Sequence, residues 1–319
     1  MTTSSSATPQ RSAALPWLGY LGGLVLGAVL LVAAWAKLLD PEGFADQIRR
    51  QGLDFLLPAS AVAMVALALE IGLGVALVLG LRRRWVLVAA ALLVAFFLFL
   101  TGRDWWREAH GLLPADAGCG CFGNLVDRTP KEAFWQDLGL LVPGLLLAFL
   151  GRPRGPLPRW RAVATLALTV AGLAFAWQAP HLPLDDWATR LKPGSRLDHL
   201  CAGGEHDRVC LDYVLAGAEK GDHLVVLANL DDPAFAAAVP KLNDLFSRSE
   251  GPALIAIAAT TPEVLQRFYW SVGNLFEIRE APLGLVKPLA RRLPRSFLVR
   301  DGVVVETYSG LPPLPAAAR

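Results

Sequence analysis

The sequence has few charged residues for its length. Only 18% of its 319 residues are charged, against about 25% in soluble globular proteins, while 54% are hydrophobic and the mean hydropathy is +0.43. These values exclude an ordinary soluble globular protein. The formal net charge of +2 is too small to attract nucleic acid over long range, so neither DNA nor RNA is expected as a partner.

Cysteine and methionine are also scarce. Four cysteines and two methionines are too few for a disulfide-rich scaffold or a methionine-rich copper site. The cysteines nevertheless form two close pairs, Cys119/Cys121 and Cys201/Cys210. Close pairs of this kind are consistent with redox chemistry.

Long apolar runs are abundant in the first part of the chain. A helix that crosses a membrane needs about 20 mainly apolar residues. Five segments satisfy this requirement: 12–36, 55–81, 85–102, 133–151 and 162–184. A cleaved signal peptide is the alternative for the first segment, but residues 1–10 lack a basic region and the apolar run is long, so we interpret it as a spanning helix.

Arginines in two short connections predict the orientation. Spans two and three are joined by Arg82–Arg84, and spans four and five by a segment with four arginines: Arg152, Arg154, Arg159 and Arg161. Neither connection contains an acidic residue, and an excess of arginine marks the cytoplasmic side. The N-terminus is then cytoplasmic, and the C-terminal part lies outside with all four cysteines, in an oxidising compartment. We expect a multi-pass protein of a bacterial-type inner membrane, with the lipid bilayer as a partner.

Residues 222–319 alternate short apolar strands with charged helices. The predicted order is β-α-β-α-β-β, with elements at 223–230, 232–248, 253–260 and 261–273 and a hairpin at 296–308. A further helix is expected around 284–292. This order, with Pro294 just before the hairpin, resembles the thioredoxin fold, in which a cis proline precedes the third strand.

The resemblance to thioredoxin has one departure. Counting back from the helix-kinking Pro240, the redox C-x-x-C of that family is replaced by Asp232-Pro233-Ala234-Phe235. Neither a carboxylate nor a phenyl ring can replace a thiolate in disulfide exchange. The domain is therefore not expected to be a thioredoxin itself. It either binds a partner chain beside Pro294 or only packs, and the neighbouring Arg291 and Arg292 are expected to form a solvated face.

The strongest local feature is Gly118-Cys119-Gly120-Cys121-Phe122-Gly123, between spans three and four. Two thiols separated by one glycine can close into a small, strained disulfide, and strain makes such a bond labile. This spacing favours a redox-active pair, with a structural disulfide or a metal site as alternatives. No metal is predicted, because the nearby ligands are only His110 and Asp116.

The second cysteine pair favours a different interpretation. Cys201 and Cys210 are nine residues apart, a loop that closes easily into a static disulfide. The alternative is a relay in which this pair exchanges with Cys119/Cys121.

Glu70 is an acidic residue near the middle of the second span. An ionised carboxylate at that depth is costly, so it is expected to be protonated or paired. A proton relay, a hydrogen bond to a quinone-like carbonyl and an interhelical hydrogen bond are the three interpretations. No base is expected beside it, because Lys37 lies near the outer end of the first span and can extend to the surface.

Residues 17–151 resemble the DoxX-like/MauE family of redox-associated membrane proteins. The resemblance is carried by short motifs along the bundle: Ala36-Lys37-Leu38, Asp40-Pro41, Phe44, Leu57-Pro58, Leu69-Glu70, Gly72, Gly74, Gly80 and, above all, Cys119-Gly120-Cys121-Phe122-Gly123. The family resemblance implies a role in maturing disulfide-containing proteins outside the cytoplasm, in methylamine utilisation together with a thioredoxin-like partner.

The expected fold class is a membrane all-α bundle of about five helices followed by an α/β thioredoxin-like domain. The chain divides into an N-terminal tail, a four-helix bundle, a basic loop with the fifth helix, a cysteine-containing linker and the outer domain: 1–16, 17–151, 152–184, 185–221 and 222–319.

The predicted function is thiol–disulfide exchange. The catalytic candidates are the four cysteines, and Glu70 and Pro294 are the predicted intramembrane and partner-binding positions. The expected partner is an outer client with thiols or a thioredoxin-like redox protein. No cofactor is evident, and a quinone acceptor is a conjecture without an identifying residue. The alternatives are a non-enzymatic assembly factor with static disulfides and a proton-coupled transporter, the latter disfavoured because five spans form no inverted repeat.

Overall fold

The computed structural model describes residues 14–112, 129–153, 156, 158–203, 208–247 and 251–312. Cys119 and Cys121 lie outside these residues. These residues extend from the first spanning helix to just after the C-terminal hairpin.

Among the described residues, the first part of the chain forms six helices: α1 (Ala14–Leu39), α2 (Pro41–Arg50), α3 (Ala59–Val78), α4 (Arg84–Ala109), α5 (Pro130–Leu150) and α6 (Arg159–Gln178). All except α2 are long and apolar enough to cross a membrane, which confirms the five predicted spans. Helix α1 packs between α3 and α5, while α4 packs on α5 and α6 on α3. Most of the surface of α6 is exposed in the protein, as expected for a helix that faces lipid.

Glycines allow α1 to approach both of its neighbours. A Cβ atom added at Gly22 would lie 2.6 Å from the carbonyl oxygen of Gly144 on α5. One added at Gly27 would lie 2.7 Å from the carbonyl oxygen of Gly74 on α3. Small residues at such crossings bring backbones together where lipid supplies no hydrophobic driving force between helices.

The two arginine-rich connections lie at the same end of the bundle. Arg82 donates to the carbonyl oxygen of Gly151 at 3.0 Å, and Arg161 donates to that of Gly80 at 3.3 Å. This arrangement agrees with the prediction that both connections face one side of the membrane. The opposite end carries α2 and the C-terminal domain.

Helix α2 was not predicted from the sequence. It begins with Pro41 after Asp40, whose side chain accepts a hydrogen bond from the Gly43 amide at 3.0 Å. Its buried residues Ala45 and Ile48 pack against the first turns of α3. The helix has only ten residues and is mostly polar, so it does not stand out beside the long apolar runs, although its apolar residues share one face.

Where the structure describes it, the C-terminal domain contains seven strands and five further helices. The strands are β1 (Cys201–Ala202), β2 (Val209–Cys210), β3 (Asp222–Ala228), β4 (Ala253–Ala258), β5 (Glu277–Glu280), β6 (Arg295–Arg300) and β7 (Val303–Tyr308). The helices are α7 (Asp185–Ala188), α8 (Leu211–Val214), α9 (Pro233–Phe246), α10 (Pro262–Val272) and α11 (Leu283–Val286). Helix α11 continues into a 3-10 turn, Lys287–Leu289, which matches the helix expected around 284–292.

Five of the strands form one sheet in the order β5-β4-β3-β6-β7. Strand β3 is parallel to β4 and antiparallel to β6, and β6 and β7 form the hairpin that turns at Asp301-Gly302. The peptide bond between Leu293 and Pro294 is cis and directly precedes β6. This arrangement confirms the thioredoxin-like fold.

Strand β5 is an addition to the predicted order. It lies at the edge of the sheet and is parallel to β4. Its four residues, Glu-Ile-Arg-Glu, include one apolar side chain, and that side chain is buried. So short and polar a segment has no strand signal in the sequence.

The sheet is covered on both faces, because alternate residues of its strands point to opposite sides. Helices α9 and α10 cover one face, where Leu224 and Val226 of β3 are buried. The linker before β3, with α8 and α11, covers the other face, where Val225 and Leu227 are buried.

Candidate functional site

The most deeply buried charged site of the bundle is an ion pair between Lys37 of α1 and Glu70 of α3. Lys37 is only 4% exposed, and Glu70 is completely buried. The expectation that Lys37 extends to the surface, leaving Glu70 without a base, is therefore wrong. Glu70 is paired, one of the two states expected for it.

The direction of the helices explains this pairing. Every Cα–Cβ bond of a helix tilts toward the N-terminus of that helix. Lys37 lies in the last turn of α1, so its side chain leans back into the bundle. Glu70 lies on α3, which runs in the opposite direction, so its side chain leans toward Lys37.

Two aromatic rings complete the surroundings of the Lys37 ammonium. Its Nζ atom lies 4.9 Å from the ring centre of Phe44 on α2 and 5.2 Å from that of Phe97 on α4. Both distances allow a cation–π attraction, which is stronger where water is excluded. Helix α2 thus covers the charged pair with Phe44.

A small cavity adjoins Lys37 on the α5 side. Its volume is about 20 Å³, and its walls are formed by side chains of α1, α4 and α5: Val29, Leu30, Ala33, Lys37, Phe97, Asp137 and Leu141. Asp137 is 6% exposed. The walls are mostly apolar, and the volume is enough for no more than about one water molecule. It is too small for a quinone ring.

A second polar group lies at the end of α4. Asp104 accepts a hydrogen bond from the Gln51 side chain at 3.3 Å, and Arg103 donates to the Gln51 carbonyl oxygen at 3.3 Å. These contacts tie the end of α2 to α4.

The C-terminal domain is bound to this end of the bundle by two arginines. Arg292 forms a bidentate pair with Glu42 of α2, with hydrogen bonds of 2.6 and 2.5 Å. Arg291 donates to the carbonyl oxygens of Ala179 and Leu182, at 2.8 and 3.2 Å, after the end of α6. The expectation of a solvated arginine face is wrong, because these side chains bind the bundle.

Two carboxyl groups near these arginines have shifted pKa values, for different reasons. The hydrogen bond from Arg292 lowers the pKa of Glu42 below its usual value. Burial raises the pKa of Asp40, although the Gly43 amide and the Arg291 charge act in the opposite direction.

Pro294 lies at an open cleft between the domain and the segment that follows α6. The cleft has a volume of about 390 Å³ and is lined by the segment after α6 and by the loops around Pro294 and Ser309. Helix α4 ends and α5 begins at this end of the bundle. The end of α4 and the start of α5 therefore lie on the side of the domain, and Cys119 and Cys121 fall between them in the sequence.

The residues aligned with the thioredoxin redox motif have structural contacts. Asp232 caps α9 by accepting a hydrogen bond from the Ala234 amide at 2.9 Å. Phe235 is fully buried and stacks on Phe268, with 5.8 Å between ring centres. These contacts leave Asp232 and Phe235 as a cap and a core residue.

Cys201 and Cys210 form a disulfide between the paired strands β1 and β2. Cys201 is buried, and Arg190 donates to its carbonyl oxygen at 3.1 Å. These contacts agree with a static disulfide. The relay with Cys119/Cys121 stays a prediction, because that pair lies outside the part of the chain that the structure describes.

Arg295 is a site residue that sequence reasoning missed. It follows Pro294 and is 1% exposed. Its guanidinium donates to Leu289 O at 2.6 Å, to Asp186 Oδ1 at 2.7 Å, to Leu191 O at 3.2 Å and to Thr189. Burial lowers its pKa, while Asp185 and Asp186 oppose that effect. No pattern in the neighbouring sequence predicts this role, because the contacts of Arg295 come from the linker more than 100 residues earlier as well as from Leu289.

Comparison with known proteins assigns the membrane part. The family described as methylamine utilisation protein MauE matches residues 15–151. No curated protein matches the chain.

Two solved structures resemble the C-terminal part. A candidate thiol:disulfide interchange protein DsbE from Chlorobium tepidum is 19% identical, with 39% of this chain and 89% of that chain covered and a TM-score of 0.31. A peroxiredoxin-like protein from Aquifex aeolicus is 16% identical, with 37% and 75% covered and a TM-score of 0.29. The thioredoxin-like assignment rests on the strand order and the cis proline rather than on these scores. Residues 15–151 of this multi-pass membrane protein form a MauE family domain, and a thioredoxin-like domain follows it.

Proposed function

We propose that the protein takes part in thiol–disulfide exchange on the outer side of the membrane, through Cys119 and Cys121. The MauE family match indicates a redox-related function. The observation that supports the finer proposal is the position of Pro294. Its cleft lies at the end of the bundle where the Cys119/Cys121 connection leaves α4 and enters α5.

The proposed reaction exchanges one disulfide for another. A client thiolate attacks one sulfur of the Cys119–Cys121 bond and forms a mixed disulfide. The second client thiolate then displaces the bound cysteine, so the client gains a disulfide and the pair becomes a dithiol. Two electrons and two protons pass from the client to the pair, and this exchange needs no other oxidant.

The thioredoxin-like domain has a positioning role in this proposal. No cysteine lies at the N-terminus of its helix α9, so this position takes no covalent part in the disulfide exchange. Arg291 and Arg292 instead bind it to the bundle with Pro294 at the cleft. A client or a thioredoxin-like redox partner would lie in that cleft beside the Cys119/Cys121 connection.

Thiol trapping across a graded dithiol buffer tests the proposal. The protein is kept in membranes, and peptide mapping assigns the bonds. We expect a Cys119–Cys121 bond that titrates near or above about −200 mV, the range of exchange-active pairs. The control is a Cys201→Ala/Cys210→Ala variant, in which that titration persists. Four cysteines locked in resistant bonds, or a reduced and inert Cys119/Cys121 pair, would overturn the proposal.

The orientation requires a separate measurement. In a cysteine-free variant, a single cysteine is placed in the arginine-rich connection by Arg83→Cys or before β3 by Glu219→Cys. A membrane-impermeant thiol reagent added to intact cells is expected to label only the Glu219→Cys protein. Labelling of only the Arg83→Cys protein would reverse the proposed orientation.

A non-enzymatic assembly factor is the second candidate. It is favoured by the partly buried Cys201–Cys210 disulfide and by the arginine contacts that hold the domain on the bundle. In this case a Cys119→Ser/Cys121→Ser variant would support client maturation as well as the wild type.

A further inference from the structure

Two arginines meet where the arginine-rich connections of the bundle close against each other. Arg82 follows α3 and is 7% exposed, and Arg161 lies in the first turn of α6. Arg82 donates to the carbonyl oxygen of Gly151 at 3.0 Å, and Arg161 donates to that of Gly80 at 3.3 Å. Each bond uses one Nη1 atom of a group that has five N–H donors, so both arginines keep donors for a further acceptor.

The ring of Tyr20 on α1 lies beside both arginines. Its centre is 5.8 Å from the central guanidinium carbon of Arg82. A Cβ atom added at Gly80 would lie 3.1 Å from Arg161 Nη1 and 3.5 Å from Tyr20 Cε2. The Nε atoms of the two arginines have no hydrogen-bond partner in the part of the protein that the structure describes. Three segments that are distant in the sequence thus bring two cations around one aromatic ring.

The segments around these arginines contain no acidic residue. Residues 1–39, 71–103 and 138–184 include neither aspartate nor glutamate, and the start of α1 and both arginine-rich connections fall within these ranges. The two guanidinium groups lie close enough to repel each other. A cation taken out of water is costly unless an anion is paired with it. The site therefore favours an anion that these segments do not supply.

Three exposed tryptophans mark the level of the lipid headgroups at this end of the bundle. Trp17 on α1, Trp85 on α4 and Trp160 on α6 are each more than half exposed in the protein. Tryptophan is enriched at the membrane–water interface, where its ring meets the headgroups. Arg161 directly follows Trp160, and Arg82 precedes Trp85 by three residues. The two arginines therefore lie at the depth of the lipid phosphates.

We propose that Arg82 and Arg161 bind the phosphate of an anionic phospholipid at this end of the bundle. The unesterified oxygens of that phosphate accept charge-assisted hydrogen bonds, and the planar guanidinium matches their geometry. A lipid is favoured over free phosphate because Arg161 begins a helix whose apolar surface is largely exposed, so acyl chains can pack along it. A zwitterionic lipid is disfavoured, since its cationic headgroup would enter a region with four further arginines: Arg83, Arg84, Arg152 and Arg159.

Native mass spectrometry of the full-length protein in detergent micelles tests the site. The lipid probes are dioleoylphosphatidylglycerol, which is anionic, and dioleoylphosphatidylcholine, which has the same acyl chains and is zwitterionic. We expect one phosphatidylglycerol molecule to bind about tenfold more tightly than phosphatidylcholine. Inorganic phosphate is examined by thermal unfolding in the same detergent. It is expected to change the Tm of the wild type and of Arg161→Gln equally, because it lacks acyl chains that hold it at the site.

Three variants examine the two arginines. Arg161→Gln removes one cation of the site and is expected to weaken phosphatidylglycerol binding about tenfold. The matched control is Arg159→Gln, which removes an exposed arginine from the same turn of α6 and is expected to change the affinity less than about twofold. Arg82→Lys keeps the charge but loses the planar fork, so it is expected to weaken binding about threefold.

The outcomes separate this site from the proposed exchange activity. Equal affinity of the wild type for the two lipids, or equal weakening by Arg161→Gln and Arg159→Gln, would overturn the lipid site. A rise in Tm with inorganic phosphate that Arg161→Gln abolishes, without a preference between the lipids, would overturn it in favour of free phosphate. If Arg161→Gln does not fold, Arg161→Lys replaces it, with the same expected direction. The Cys119→Ser/Cys121→Ser protein keeps the lipid preference even if thiol trapping shows no exchange.

Discussion

Lys37 in the bundle and Arg295 in the C-terminal domain are both buried cations, but their partners differ. Lys37 contacts one carboxylate and two aromatic rings. Arg295 donates to two backbone carbonyl oxygens as well as to Asp186 and Thr189. One cation is held mainly by a group that titrates, and the other mainly by groups that do not.

This difference separates two kinds of buried charge. Carbonyl oxygens keep their acceptor capacity at every pH, so Arg295 fixes the linker beside Pro294 under all conditions in which the domain is folded. The carboxylate beside Lys37 can gain a proton. The bundle therefore holds a cation whose partner is a titratable group, whereas the domain holds a cation that fixes the linker beside the cleft.

The largest effect is expected from separating the Lys37–Glu70 pair. Lys37→Met or Glu70→Leu alone leaves an uncompensated buried charge and is expected to lower the free energy of unfolding by about 3–5 kcal/mol. The double variant removes both charges and is expected to recover most of that loss. Unfolding in mixed micelles by increasing SDS measures all four proteins. A double variant no more stable than either single variant would contradict the interpretation of a compensated pair.

A smaller effect is expected at Arg295. Arg295→Met leaves the carbonyl oxygens of Leu191 and Leu289 without this donor. It is expected to lower the free energy of unfolding by about 3 kcal/mol. The matched control is Arg300→Met, because Arg300 pairs with Asp222 on the surface and such pairs contribute about 0–1 kcal/mol. Urea unfolding gives both values, and hydrogen exchange of residues 185–200 locates the change. Equal losses in the two variants would show that burial does not distinguish these arginines.

Loss of the Cys201–Cys210 disulfide is expected to lower the free energy of unfolding by a somewhat smaller amount. Replacing Cys201 and Cys210 with alanine frees a loop closed over nine residues, for a loss of about 2–3 kcal/mol in the free energy of unfolding. The potential of the Cys119/Cys121 pair should not change. A clear fall in the rate of client oxidation, with the fold intact, would instead support the relay.

The smallest effect is expected at the exposed pair that joins the two parts. Glu42 and Arg292 are about half exposed, so Glu42→Gln should weaken domain docking by about 0–1 kcal/mol. Because Arg292 lowers the pKa of Glu42, the stabilising contribution is complete above the ordinary glutamate pKa and disappears as pH falls through the lowered value.

Spin labels on α2 and β7 measure this docking as a distance distribution. The difference between wild type and Glu42→Gln should vanish in acid and shrink in high salt. A difference that persists at low pH would exclude Glu42 ionisation as its source.

The elements that could be predicted are those with a strong local signal. All five spans were predicted because a bilayer demands long apolar runs. The strands β3 and β4 were predicted because each is a short, continuous apolar run between helical segments. Helix α2 was missed because it is short and mostly polar, although its buried residues Ala45 and Ile48 lie on one face. Strand β5 was missed because Ile278 is its one apolar residue.

The candidate site was only partly predictable. Glu70 stood out because an acid in an apolar span is unusual. Its partner Lys37 was missed. The position of Lys37 near the end of α1 suggests contact with the surface, whereas its side chain leans back into the bundle toward Glu70. Arg291 and Arg292 were misjudged for a related reason, since charges near a loop are usually solvated and only docking of the domain brings Glu42 and the end of α6 to them.

Three features could be inferred from the amino-acid sequence alone: where the chain crosses the membrane, where strands alternate with helices, and which family the bundle resembles. These features depend on length, periodicity and short motifs. The partners of the charged groups depend instead on how the chain packs, because Lys37 and Glu70 are 33 residues apart and Arg292 and Glu42 are 250 apart. Such partners are selected by how helices and domains pack, and a buried charge is tolerated only where that packing supplies its counter-charge.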